Sequence, residues 1–103
     1  NDKPHIGHAY TTILADVLSR YHRNRGRDVF FLTGLDEHGQ KVQQAAEERG
    51  VEPKIHCDEM APRFIELWDE LHMQYDDFIR TTEKRHMDVV QNILQKVYDN
   101  GDI

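Results

Sequence analysis

At 103 residues the chain has room for one small domain or for part of a larger one. Hydrophobic residues make up 38% of it, with four Tyr, four Phe and one Trp, which supplies enough apolar surface for a core and excludes a disordered chain. The formal net charge of -6 argues against nucleic acid as the main direct partner of this segment, because phosphate contacts need clustered Lys and Arg; a local basic spot stays open.

Cys57 is the only cysteine, so neither an internal disulfide nor a thiolate zinc cluster can form here, and a reducing compartment such as the cytoplasm fits. No apolar run approaches the roughly 20 residues of a membrane span, so no membrane partner is expected. There is also no charged-then-apolar targeting pattern at the amino terminus. Asn1-Asp2-Lys3-Pro4 lacks an initiator Met and runs directly into the densest motif, which suggests a cut edge inside a larger protein.

In chain order, Tyr10, Ile13, Leu14, Val17, Leu18 and Tyr21 fall at the i, i+3, i+4, i+7 spacing of an amphipathic helix over 9–24, ended by Arg25-Gly26. Val29-Phe30-Phe31-Leu32 has no period-two alternation and reads as a strand buried on both faces, closed by Gly34. A second helix is expected over 40–49, stopped by Gly50. Pro53 suits the first turn of a third, whose stripe is Met60, Phe64, Leu67, Trp68 and Leu71. Pro62 predicts a kink or break there, since an interior Pro costs about 3 kcal/mol. Residues 78–81 are β-prone, Thr82 is a candidate cap for a last helix carrying Val90, Ile93, Leu94 and Val97, and Asp102-Ile103 suggests the start of another strand. Helix, strand, helices, strand, helix is the order of an α/β fold wound on a parallel sheet, with a strand before Pro4 missing.

Pro4-His5-Ile6-Gly7-His8 carries the first candidate chemistry. His5 and His8 flank a glycine at a helix start, beside unpaired backbone N–H groups that favour anionic oxygen. Donors there would meet the charge that develops on a phosphoryl group under attack. Two blander readings stay open: a His-rich turn that only caps the helix, and a zinc site, for which third and fourth ligands are lacking nearby. Asp36-Glu37-His38-Gly39 is the second candidate. It follows the carboxyl end of the buried strand, where open α/β sheets place ligands, and its Asp36 suits either an ammonium group or the cap of the next helix.

Asn1 through Thr12, together with Ala15-Asp16-Val17, Phe30-Phe31-Leu32-Thr33-Gly34, Asp36 through Lys41 and Tyr75 through Thr82, resembles the segment around the HIGH signature of class I aminoacyl-tRNA synthetases in its methionyl form. The resemblance covers nearly the whole chain. It implies a Rossmann-like parallel sheet with flanking helices, incomplete here, with residues 1–103 forming a fragment of the N-terminal nucleotide-binding half of the catalytic domain. It also implies condensation of methionine with ATP and Mg2+ to methionyl-adenylate, then transfer to tRNA(Met) by the full-length protein. By that resemblance His5 and His8 are catalytic, Pro4, His5, Gly7 and His8 bind ATP, and Asp36 holds the methionine ammonium. Leu35 departs from the Thr that many relatives carry. The lysine-bearing KMSKS loop, the connective insertion that can hold structural zinc, and the anticodon-binding domain are not in this segment, which is therefore not expected to act alone.

A nucleotidyltransferase with a His-x-Gly-His turn and a non-catalytic module derived from a synthetase are the competing readings. His22, His56, His72 and His86 are expected at the surface or the edge of the core, Trp68 in the core, and Cys57 as an ordinary thiol.

Overall fold

A computed structural model describes residues 3–103 as four helices and two strands: α1 (Ile6–Asn24), β1 (Leu32–Leu35), α2 (Gln40–Arg49), α3 (Pro53–Glu70), β2 (Asp77–Arg80) and α4 (Lys84–Asp99). The strands pair in parallel, Leu32 opposite Asp77 and Leu35 opposite Arg80. Parallel neighbours need a crossover, and α2 and α3 supply it. The α/β reading therefore holds, with both strands delivering their carboxyl ends to the same edge.

The core is the seam between α2 and α3. Val42 and Ala46 of α2 and Cys57, Met60, Ala61, Phe64 and Trp68 of α3 are all buried, as is Phe31 just before β1. Burying a side chain such as Phe64 contributes about 2–3 kcal/mol. Gly50 ends α2 in the left-handed region at φ 66°, where its N–H reaches the Glu47 carbonyl and that of Val51 reaches Ala46, a Schellman closure. His72 closes α3 the same way at φ 54°, with Met73 N–H on the Trp68 carbonyl.

Several sequence expectations change. β1 begins at Leu32 rather than Val29, and Gly34 lies inside it. The apolar run reports burial, but pairing with β2 decides the strand. Phe31 donates its N–H to the Asp76 carboxylate at 2.6 Å and accepts from the Asp76 N–H at 2.8 Å, which starts the ladder just there. Nor is the run buried on both faces: Phe31 is buried, whereas Phe30 and Leu32 are exposed. Helix α3 runs unbroken through Pro62, which sits on its exposed face, so the carbonyl that loses a donor lies on the solvent side. Asp102-Ile103 forms no strand. The N-cap of α4 is Glu83, without a side-chain bond, because the Thr82 hydroxyl is directed elsewhere.

Helix α1 is attached by its polar side. Asp16 and Ser19 are buried, while Tyr10, Leu14 and Val17 of the apolar stripe are exposed. Asp16 accepts the Gln74 N–H at 2.7 Å and Arg20 Nε at 2.6 Å, and Arg20 also donates to the His72 carbonyl. Arg23 donates to the Gln74 carbonyl at 2.9 Å and to Asp76 at 2.6 Å. The α1 helix is thereby clasped to the loop between α3 and β2.

Candidate functional site

His5 is the N-cap of α1, in extended conformation at φ -137° and ψ 172°. Its Nδ1 accepts the Gly7 N–H at 3.1 Å, and its own N–H donates to His8 Nδ1 at 3.2 Å. The two histidines thus form a reciprocal capping box, the imidazoles replacing the usual Ser and Glu. A Cβ on Gly7 would sit 3.0 Å from His5 Cε1, so the glycine also leaves space for the His5 ring to fold back. Pro4, half-buried, leads into this turn.

The capping box sets the tautomers. Each Nδ1 accepts a backbone N–H, so in the neutral ring the proton sits on Nε2, and each imidazole offers Nε2–H as its donor. The rings stack with centroids 3.7 Å apart, and the His8 ring meets Phe64 edge-on at 5.1 Å. Burial, followed by the neighbouring His5, pushes the His8 pKa below its ordinary value of 6.5. A helix terminus with two imidazole donors suits an anionic oxygen.

Asp36 follows the last residue of β1 and is exposed. It is not the cap of α2, whose N-cap is Gly39 without a side-chain bond; its Oδ1 instead accepts the His38 N–H at 3.2 Å in a local turn. Asp36 lines a small pocket with Glu37, Val42, Cys57, Met60 and Phe64. Phe64 therefore belongs both to this pocket and to the ring contact with His8, and joins the two regions singled out in the sequence.

Sequence reasoning missed Glu37. Its carboxylate is buried, accepting Arg80 Nε at 2.7 Å and the Thr82 hydroxyl, while its N–H donates to Thr81 Oγ1 at 2.9 Å. Arg80 continues to Asp58 of α3 at 2.6 Å. Burial alone would lower the Arg80 pKa, but the bonds to Glu37 and Asp58 outweigh it and raise the value. The available signal was a carboxylate shortly after one β-prone run and an arginine within another, though not that the strands pair. His56 was also misplaced: it is buried, with Nδ1 2.8 Å from Arg49 Nη1. Cys57 is buried too, and burial, then the Glu37 charge, pushes its thiol up, so it is not a ready nucleophile. Among the described residues no group of three His, Cys, Asp or Glu side chains could hold a metal ion, and no helix is long and apolar enough to cross a membrane.

The model of the family described as tRNA synthetases class I (M) matches residues 1–103. The chain is 56% identical over 103 residues to a methionine–tRNA ligase of Thermotoga maritima and 54% identical to one of Thermosynechococcus vestitus. All of this chain is covered in both, but only 16% and 20% of those proteins. Among solved structures, the methionyl-tRNA synthetase of Mycobacterium tuberculosis bound by methionyl-adenylate is similar over 97% of this chain and 20% of that one. The TM-score is 0.93 at 37% identity. The chain thus spans about a fifth or less of the length of these relatives.

Proposed function

Because this chain belongs to the family of tRNA synthetases class I (M), we propose that it supplies the N-terminal, nucleotide-binding part of an enzyme that activates methionine with ATP and transfers it to tRNA(Met). The observation that carries this reading is the His5–Gly7–His8 start of α1, where two imidazoles with Nδ1 bound to backbone keep Nε2–H as donors at a helix terminus. A bound methionyl-adenylate in the M. tuberculosis relative supports it.

In the proposed reaction a methionine carboxylate oxygen attacks the α-phosphorus of ATP, the bond to the β-phosphate oxygen breaks, and pyrophosphate leaves; Mg2+, when bound, would neutralise charge on the phosphates. His5 and His8 donate to the phosphoryl oxygens as charge builds on them, which lowers the barrier without a covalent enzyme intermediate. Pro4 and Gly7 shape the ATP-binding turn, and Asp36 holds the methionine ammonium by a charge-assisted bond. A ribose hydroxyl of tRNA(Met) then attacks the activated carbonyl, releasing AMP. A reducing cytoplasm suits the single buried thiol.

The test is methionine-dependent exchange of labelled pyrophosphate into ATP by the full-length protein. Exchange that needs methionine is the expected result. A folded, intact protein that exchanges without any amino acid, or not at all, overturns the proposal.

A further inference from the structure

We infer that Glu37 is a positioning residue that sets the direction of Asp36, with Arg80 and Thr82 as its anchors; this rests on the methionine-activating reading above. Asp36 and Glu37 are consecutive, and the chain turns one carboxylate to solvent and the other inward. Asp36 Oδ1 accepts the His38 N–H at 3.2 Å, a bond inside the same loop that turns with it. Its neighbour, by contrast, is fastened at several points: backbone N–H on Thr81, one carboxylate oxygen on Arg80, the other on Thr82, and the carbonyl facing the Cys57 thiol at 3.8 Å.

Burying a carboxylate costs several kcal/mol unless its partners are well placed, so this one is poorly explained as a contribution to stability alone. Its side chain is 3% exposed and that of Arg80 19%. The bonds join three elements: the loop after β1, the end of β2, and α3 through Asp58. Fixing the Glu37 side chain fixes the peptide it shares with Asp36, and with it the line along which the Asp36 carboxylate meets an ammonium group. A merely structural bridge would lower stability and affect every substrate alike. A positioning bridge acts on the substrate that Asp36 binds.

The experiment uses the full-length enzyme with Glu37→Gln, which keeps volume and one acceptor, and with Thr82→Val, which removes one anchor. In pyrophosphate exchange, Glu37→Gln is expected to raise KM for methionine about tenfold while KM for ATP stays within about twofold and the melting temperature is little changed. Thr82→Val should move the same parameter in the same direction by a smaller factor. A folded Glu37→Gln enzyme with unchanged KM for methionine overturns the inference, as does an equal rise for methionine and ATP in step with lost stability. If Glu37→Gln does not fold, Thr82→Val decides by the same criterion. A wild-type enzyme without methionine-dependent exchange overturns the proposed function and this inference together, whereas an active wild type with unaffected variants overturns this inference only.

Discussion

Replacing Gly34 with alanine puts a methyl group where β1 lies against Ile79 of β2. A Cβ there would meet Ile79 Cγ2 at 2.7 Å and the Ile79 carbonyl carbon at 2.9 Å, with the carbonyl oxygen nearer still. The side-chain methyl can rotate away, but the carbonyl is main chain, so the strands must part by about 1 Å. Overpacking of this kind costs about 1–3 kcal/mol, and each ladder hydrogen bond stretched past its range adds about 1 kcal/mol. The expected loss is about 3 kcal/mol, confined to the β1–β2 pair. Native-state hydrogen exchange in the full-length protein reads it directly. The Thr81 amide, which donates to the Leu35 carbonyl at 3.1 Å, should exchange about 100-fold faster than in wild type. Asp36 lies two residues beyond Gly34, so methionine-dependent exchange should fall by about 100-fold as well, the usual effect of misplacing a binding group by about 1 Å. Wild-type protection at Thr81 with full activity would refute the packing argument.

The other predictions concern the site itself. His5→Ala removes half of the capping box and, on the proposed function, a phosphate donor; the adenylation rate should drop about 100-fold while KM for methionine stays within about twofold, as measured by pre-steady-state pyrophosphate release. Asp36→Ala should do the reverse, raising KM for methionine about 100-fold with ATP binding preserved, checked by calorimetric titration of each substrate. His8 has a depressed pKa in the folded state, so the unfolded chain takes up a proton first as pH falls below 6.5, and stability that is complete above that pH is lost below it. His8→Gln, which cannot titrate, should flatten that part of the melting temperature against pH; an unaltered profile would contradict the assignment.

Local chemistry was legible along the chain, and long-range pairing was not. Gly50 as the stop of α2 and Pro53 as the start of α3 depend on the backbone freedom of one residue and the fixed φ of another, both readable from single letters. The histidine turn was expected just before a helix starting at residue 9, but α1 begins at Ile6, because a reciprocal cap spanning only three residues draws Gly7 and His8 into its first turn. Thr82 misled because its hydroxyl has two possible destinations. A cap is within reach of any sequence window, but the bond it makes goes to Glu37, 45 positions away. The strand boundary failed for a related reason: hydrophobicity located Phe31 in the core, but the register came from Asp76. His56 was expected near the surface, yet Arg49, seven residues earlier, gives its ring a partner that makes burial tolerable. Its place past the carboxyl end of a strand located Asp36 and the family resemblance gave it a role; no pattern of spacing pointed to the carboxylate beside it.

The attachment of α1 through Asp16, Arg20 and Arg23 has a bearing on how the proposed phosphate-binding end is aimed. Apolar packing tolerates sliding and small rotations, because many arrangements bury similar area, whereas charge-assisted bonds to fixed carbonyls and amides lose strength quickly with angle. The helix is held on its directional side, about 12 Å along its axis from His8. Over that lever a tilt of about 5° would swing the imidazoles by about 1 Å, the displacement at which catalytic placement begins to fail. The axis that carries the histidines is therefore steadied by three polar residues two or more turns away, while the capping box and Phe64 fix the rings upon it.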